Sequence, residues 1–179
     1  LFELQRVVPE NGSIIELGMG PGYLANYLLE RMRSVSYCGI DFSQPMLEIA
    51  QNRLIGYSSR ITYTLADLVN EAWEENVYKP VHAVVSTWAL HDLGSPKNIN
   101  KVYERSYSAL DRGGILVNGD FIKPMGARQK FEGGRFYVTK HLELLSNVGF
   151  SNANCLSLFE EEIESPTPAQ NYACISAKK

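Results

Sequence analysis

The stretch that decides the fold reads Ile14-Ile15-Glu16-Leu17-Gly18-Met19-Gly20-Pro21-Gly22. Its apolar start predicts a buried strand, and its glycines predict a tight turn, because glycine accepts positive φ and lets a ligand approach the bare backbone. Residues 23–29 lack glycine and proline and predict a helix. Such a helix directs its free N–H groups and positive dipole end at whatever lies over the turn. This strand–turn–helix is typical of nucleotide-binding folds.

The glycine spacing sets this turn apart from the usual phosphate-binding fingerprint. That fingerprint is G-x-G-x-x-G, whereas the turn here is G-x-G-x-G behind Glu16. A carboxylate at this place repels a pyrophosphate but suits a ligand with an ammonium group or a positive sulfur. The motif resembles the first motif of class I S-adenosylmethionine-dependent methyltransferases. Taken alone, it is also compatible with a plain tight turn between a strand and a helix.

The rest of the chain alternates between predicted strands and helices. Strands are predicted at residues 35–40, 60–65, 81–86, 115–118, 155–159 and 172–177, and helices up to Val8 and at 45–54, 99–110 and 141–148. An acidic, proline-containing loop joins the last two strands. The alternation predicts an α/β fold with a doubly wound, parallel sheet and helices on both faces. The resemblance covers nearly the whole chain and implies a Rossmann-like sheet of seven strands, ordered 3-2-1-4-5-7-6, with the seventh antiparallel.

Length and composition limit the class of protein. With 179 residues, 45% of them hydrophobic, the chain is predicted to form one domain, residues 1–179. Since it begins at Leu1 without a methionine, we expect an N-terminal segment to be missing. A net charge of -3 argues against a nucleic-acid binder, and no apolar run reaches the roughly 20 residues of a membrane span. Three scattered cysteines favour a reducing, cytoplasmic setting over a disulfide framework, and they indicate no metal site.

Two further acids follow predicted strands at the positions that would face the turn. Asp41 ends the second strand about 20 residues after the glycines, where an acid accepts hydrogen bonds from ribose hydroxyls. Helix capping is the alternative role for Asp41, with Ser43 as a plausible N-cap. Asp67 ends the third strand, and the resemblance implies that such an acid accepts from the adenine amino group. Because the carboxyl ends of parallel strands share one edge of a sheet, we expect Glu16, Asp41 and Asp67 to line one crevice.

The resemblance also implies the remaining cofactor contacts. The backbone at Gly18 and Gly20 is expected to touch S-adenosylmethionine, and Ser86, at the end of the fourth strand, belongs to the expected site. Phe42 and Met46 match the family pattern D-x-S-x-x-M-L and are expected to line the adenine, with Leu68 touching the ring through its backbone. A place in the ordinary core is the alternative for Met46, because thioethers fill gaps anywhere.

Residues 86–93, Ser-Thr-Trp-Ala-Leu-His-Asp-Leu, follow the fourth strand and resemble the L-H-H-L stretch of small-molecule methyltransferases of the quinone-biosynthesis type. Asp92 stands where that stretch has its second histidine. His91 and Asp92 are candidate general bases, and packing or capping is the alternative for His91. Trp88 is a candidate wall of the acceptor pocket, with core packing as its alternative.

The absence of two motifs limits the class of acceptor. The fourth strand lacks the N-P-P-Y or D-P-P-Y pattern with which the amino-methylating nucleic-acid enzymes of this superfamily grip a flipped base. No cysteine lies there for a covalent mechanism. We expect His82 and His141 to be solvated surface residues. No nucleic-acid partner is therefore predicted.

Residues 123–140 carry a local charge excess of +4, from five basic residues against Glu132. The segment is predicted to be irregular, and in the resembling family this region often covers the acceptor. Arg128 and Arg135 are therefore candidates for drawing an anionic acceptor toward the crevice. A solvated charged loop is the alternative.

These observations predict an enzyme that moves the methyl group of S-adenosylmethionine to a small-molecule acceptor, mainly by positioning and desolvation. Two other classes share the fold. One is a non-catalytic module that binds the same cofactor. The other is a dinucleotide-dependent oxidoreductase, which Glu16 disfavours and which gives Asp67 no role.

Overall fold

The computed structural model contains one sheet of seven strands, and it describes residues 1–128, 130–159 and 171–179. The strands are ordered β3-β2-β1-β4-β5-β7-β6. The first five pair in parallel, and β7 pairs antiparallel with both β5 and β6. The predicted doubly wound architecture and strand order are confirmed. The acidic loop predicted between the last two strands falls within residues 160–170, outside the described part of the chain.

The elements follow one another in the order that the sequence predicts. The strands are β1 Ser13–Leu17, β2 Ser36–Asp41, β3 Ile61–Leu65, β4 Ala83–Thr87, β5 Ile115–Phe121, β6 Ser151–Phe159 and β7 Tyr172–Lys178. The helices are α1 Phe2–Val7, α2 Tyr23–Arg31, α3 Gln44–Arg53, α4 Pro96–Ala109 and α5 Val138–Val148. Between β3 and β4 the described chain has only a short 3-10 turn, Trp73–Glu75, in place of a helix.

Helices cover both faces of the sheet, so alternate residues of a strand enter different cores. Ile14 of β1 packs in the core under α1, α2 and α3. Its neighbour Ile15 packs in the core under α4 and α5. Strands buried on both faces read as continuous apolar runs, which is why β1 and β4 were predictable. None of the helices in the described part of the chain has the length and apolar content that a membrane span requires.

Several predicted boundaries are shifted. Helix α4 begins at Pro96 because Ser95 caps it, its side chain accepting from the N–H of Asn98 at 3.2 Å. Ser43 precedes α3, but its side chain makes no capping hydrogen bond. Strand β5 continues three residues beyond the predicted end, because its whole length pairs with β7.

The expectation that His141 is a solvated surface residue is wrong. Its side chain is buried between α5 and α4, where Nδ1 lies 2.8 Å from the hydroxyl of Tyr103 and the ring stacks on Phe136. Burial lowers the pKa of His141 from 6.5 to about 4. His82 is half-buried, and its Nδ1 accepts from the backbone N–H of Ser13.

Candidate functional site

A crevice of about 690 Å³ lies beyond the carboxyl ends of the parallel strands. This is where ligands bind in open α/β sheets, and the volume is within the range of small-molecule sites. Its walls come from the ends of β1 to β4 and the segments that follow them, and they include Gly18, Gly20, Asp41, Phe42, Ser43, Met46, Asp67, Leu68, Trp88 and Asp92. A second cavity, of about 560 Å³, lies near the amino ends of β1 to β3 and contains none of the predicted site residues.

The glycine turn is built by positive φ angles at Gly18, Gly20 and Gly22, of 64°, 50° and 80°. The end of β2 holds it in place. The N–H of Gly18 donates to the carbonyl of Ile40 at 2.8 Å, and the N–H of Gly20 donates to Oδ2 of Asp41 at 2.7 Å. A side chain at Gly18 would overlap the Cβ of Ala89. The turn thus presents bare backbone to the crevice.

Asp41 and Asp67 both line the crevice, as the sequence predicts. Oδ1 of Asp41 accepts from the N–H of Ser43 at 2.9 Å, and its two oxygens retain further lone pairs for a ligand. Asp67 lies in a polar turn, where the side chain and backbone N–H of Asn70 and the N–H of Val69 donate to it. These hydrogen bonds lower the pKa of Asp67 and keep it anionic.

The expectation that Glu16 lines the crevice together with Asp41 and Asp67 is wrong, because Glu16 is buried below the crevice surface. Only 1% of it is exposed, and it is absent from the residues that line the crevice. The hydroxyl of Tyr37 donates to its Oε2 at 2.8 Å. Burial raises the pKa of Glu16 from 4.5 to about 8, despite the hydrogen bond from Tyr37. That Glu16 contributes to cofactor binding stays a prediction, and such an effect would have to act from beneath the glycine turn.

The apolar part of the crevice is formed by three of the residues predicted for the adenine. Phe42 is 80% exposed and Met46 is 40% exposed, so neither belongs to the core, while Leu68 is buried in the wall. Ser86 is not at the crevice surface. It is buried in β4, and its hydroxyl donates to the carbonyl of Leu17 at 3.0 Å.

His91 forms a buried pair with an acid that the sequence reasoning missed. Its Nδ1 lies 2.7 Å from Oδ1 of Asp120, and Oδ2 of Asp120 accepts the backbone N–H of His91 at 3.0 Å. Its Nε2 faces Oδ1 of Asp92 at 3.3 Å. Burial by itself lowers the pKa of His91, but the hydrogen bond and charge of Asp120, together with Asp92, raise it overall. Asp92 is exposed and lines the crevice.

Trp88, which lines the crevice, belongs to an aromatic and cationic cluster around Phe121. Trp88 has a positive φ of 52° and is 63% exposed, and its ring lies 5.9 Å from that of Phe121, nearly parallel to it. The guanidinium of Arg135 lies 4.7 Å from the centre of the Phe121 ring, and its Nε pairs with Glu132 at 2.7 Å. A positive φ in a bulky residue is unusual and is found more often at functional sites.

The basic segment reaches this cluster by close backbone packing. A side chain added at Gly133 would overlap the carbonyl of Gly94, and one added at Gly134 would overlap the carbonyl of His91. The two glycines therefore let the basic segment, residues 123–140, pack directly against the backbone of residues 91–94. Arg135 is consequently held beside the site, with 9% of its side chain exposed. Arg128 is exposed. The structure therefore brings Arg135, but not Arg128, into contact with the cluster.

Comparison with known proteins identifies the family. The family model described as a methyltransferase domain matches residues 14–114, from β1 to the start of β5. The chain belongs to this methyltransferase family. The class I methyltransferase predicted from the first motif is thereby confirmed, with S-adenosylmethionine as the methyl donor of the family. The resemblance to the quinone-biosynthesis subgroup stays a prediction.

Curated relatives match this methyltransferase over part of their length. The carboxy-S-adenosyl-L-methionine synthase of Desulfotalea psychrophila is 32% identical over 163 residues, 81% of this chain and 64% of the relative. The trans-aconitate 2-methyltransferase of Sinorhizobium fredii is 32% identical over 106 residues, 59% of this chain and 37% of the relative. The chain thus spans less than two thirds of the length of these relatives.

Solved structures share the fold at low identity. The S-adenosylmethionine-dependent methyltransferase SibL superposes with a TM-score of 0.75 at 15% identity, over 99% of this chain and 52% of SibL. Phosphoethanolamine N-methyltransferase 2 of Haemonchus contortus, solved with S-adenosyl-L-methionine, gives 0.72 at 16% identity, over 98% of this chain and 51% of that enzyme.

Proposed function

We propose that residues 1–179 form one domain that binds S-adenosylmethionine in the crevice and methylates a small-molecule acceptor. The observation that carries this proposal is the placing of Asp41, Asp67 and the glycine backbone around one apolar crevice. Asp41 offers carboxylate oxygens to a ribose diol, and Asp67 offers an acceptor to an amino group. Phe42 and Met46 offer an apolar surface to an aromatic base. These residues fit the cofactor in size and in chemistry.

The bound cofactor supplies an already activated methyl group on its sulfonium, so the chain mainly has to position an acceptor and exclude water. His91 is the candidate general base. Asp120 accepts from Nδ1 and so leaves Nε2 to take a proton, while Asp92 lies 3.3 Å from that nitrogen at the edge of the crevice. A base of this kind serves a hydroxyl or amine acceptor.

The acceptor that the cluster around Phe121 suits best is a small anion. Trp88 offers an exposed ring, and Arg135 adds a positive charge within the same cluster. The charge excess of the 123–140 segment attracts anions toward this side. One relative carries an anionic acceptor, trans-aconitate, in its name. We further propose a reducing, cytoplasmic setting, because the three cysteines are odd in number and far apart in the sequence.

A second activity has support in the relatives. Three matched proteins are carboxy-S-adenosyl-L-methionine synthases, 32%, 25% and 23% identical to this chain. In that activity S-adenosylmethionine is the substrate that becomes carboxylated: a carboxylic acid or carbon dioxide supplies the carboxyl group, and the carbon that receives it loses a proton. The two activities give different products, a methylated acceptor or a carboxylated cofactor, and mass spectrometry distinguishes these products.

The test is incubation of the protein with S-adenosylmethionine and panels of small carboxylates, phosphorylated amines and phenols. The proposal expects S-adenosylhomocysteine and a methylated acceptor. A carboxylated cofactor instead indicates the synthase activity, and tight cofactor binding without turnover indicates the non-catalytic module. Binding of NAD in preference to S-adenosylmethionine would support the oxidoreductase.

Substitutions at Arg128 and Arg135 test whether the basic segment attracts the acceptor or is an ordinary solvated loop. Neutralising both to glutamine is expected to raise the acceptor KM and to flatten its salt dependence, with cofactor affinity unchanged. The double variant Arg33→Gln and Arg112→Gln, at two exposed arginines outside this segment, is the matched control for lost charge. If the Arg128 and Arg135 double variant has the same acceptor KM as the wild type at low and at high salt, the basic segment has no role in acceptor binding.

A further inference from the structure

Glu16 and Tyr37 form a buried polar pair beneath the glycine turn, and no role has been assigned to Tyr37. Both side chains are almost wholly buried, and they come from neighbouring strands, β1 and β2. The phenol donates to Oε2 of Glu16 at 2.8 Å. Burial and the neighbouring carboxyl of Glu16 raise the pKa of Tyr37, so the phenol keeps its proton and acts as a donor.

The groups that face Glu16 do not neutralise a negative charge. From β2 they are the hydroxyl of Tyr37 and, at longer range, the carboxylate of Asp41, which opposes a second negative charge. From α2 it is the backbone N–H of Ala25, in the first turn of the helix. No cation acts on Glu16 among the described residues. A wholly buried carboxylate with this environment is costly, because it has lost its hydration and gained only neutral donors.

A positive ligand over the turn would change that balance. In the proposed function, S-adenosylmethionine brings an ammonium group and a sulfonium to the crevice. Two residues that line this crevice are close to Glu16: Gly18 follows it by two positions, and the charge of Asp41 acts on it. A nearby positive charge favours the ionised form of a carboxyl. We propose that Tyr37 is a positioning residue for Glu16, and that this pair loses one proton when the positively charged cofactor binds. The inference rests on the proposed function.

The proton loss gives the affinity a defined pH dependence. The pKa of Glu16 in the free protein is raised to about 8, and a bound cation lowers it. Between the lowered pKa and about pH 8, binding therefore releases a proton, and affinity rises with pH by up to about tenfold per unit. Above pH 8 the free protein has already lost the proton, and affinity becomes flat.

Calorimetric titration with S-adenosylmethionine at pH 7, in phosphate and in Tris, counts the protons released. The wild type is expected to release about one more proton than Glu16→Gln. The comparison with this variant is needed because His91 is a second group that a cation would deprotonate. Tyr37→Phe is expected to weaken binding at pH 7 by about tenfold or more, and to move the end of the rising limb above pH 8.

Tyr63→Phe is the matched control, since it removes a phenol from the neighbouring strand β3, and it is expected to behave as the wild type. Circular dichroism checks that each variant is folded. Equal proton release from the wild type and Glu16→Gln would overturn the inference, as would a Tyr37→Phe variant that loses the same affinity at every pH. Binding without any proton release would overturn the inference alone, whereas absence of binding would overturn the proposed function as well.

Discussion

Replacing Glu16 by glutamine is expected to stabilise the unliganded protein at pH 8 and to leave it nearly unchanged at pH 5. The cause is the burial that raises the pKa of Glu16 from 4.5 to about 8. As the pH rises above 4.5, the unfolded chain releases this proton while the folded protein keeps it. The folded state therefore loses stability up to about pH 8, by about 1.4 kcal/mol per pH unit.

Over the whole window the expected loss is roughly 5 kcal/mol, which is a large fraction of the 5–15 kcal/mol that typically stabilises a domain. Glutamine has a similar shape and retains an oxygen for the hydroxyl of Tyr37, but it has no proton to lose. The free energy of unfolding of Glu16→Gln should therefore exceed that of the wild type by an amount that grows from pH 5 to pH 8. Other titrating groups act in both proteins and do not contribute to the difference.

Urea unfolding followed by circular dichroism at pH 5, 6.5 and 8 measures this difference. The same substitution at Glu10, which is exposed in the turn before β1, controls for the loss of one charge. A difference that is constant with pH would refute the reasoning, because it would mean that Glu16 ionises alike in the folded and unfolded chains. If Glu16→Gln is more stable than the wild type but binds the cofactor more weakly, then Glu16 contributes to binding and lowers the stability of the fold.

Four other outcomes follow from the site and the core. Asp41→Ala is expected to weaken S-adenosylmethionine binding by about 1.5–3 kcal/mol in a titration, and wild-type affinity would remove the ribose assignment. Gly18→Val should abolish binding in a protein that circular dichroism shows to be folded, because φ there is 64°, and retained binding would exclude the turn from the site. With Asp120→Asn, the pKa of His91 falls, so the acid limb of the kcat/KM profile should move to lower pH, and an unmoved limb would exclude His91 as the base. The unfolded chain protonates His141 below about pH 6.5, whereas the folded protein does so only near pH 4, so the wild type loses stability as the pH falls through this window. The free energy of unfolding of His141→Gln should therefore fall by roughly 3 kcal/mol less than that of the wild type between pH 6.5 and pH 4. An equal fall in both proteins would contradict the prediction.

The sequence predicted the sheet because its strands carry simple local signals. Continuous apolar runs predicted β1 and β4, and three glycines with an acid predicted both the turn and the family. Asp41 and Asp67 were predictable because each lies at a strand end, and parallel strands bring those ends to one edge.

The parts that the sequence did not predict depend on pairing in space. Asp120 meets His91 because β4 and β5 are neighbours, and nothing in the local sequence links residues 29 positions apart. Its one available signal is its place two residues after the end of a predicted strand, close to the position that Asp41 has after its own strand. Tyr37 lies within a predicted strand, and no local pattern links it to Glu16, 21 positions earlier. His141 is the first residue of a predicted surface helix, whereas α5 begins at Val138 and the imidazole lies against Tyr103 of α4.

The most direct test of the central claim is a crystal structure of the protein with S-adenosylhomocysteine. We expect the ligand in the crevice at the carboxyl ends of β1 to β4. Its ribose hydroxyls should donate to the Asp41 carboxylate, its adenine should lie between Phe42 and Met46, and the adenine amino group should donate to Asp67. A ligand seated in the cavity at the amino ends of β1 to β3, or a crevice that stays empty at saturating concentration, would contradict it.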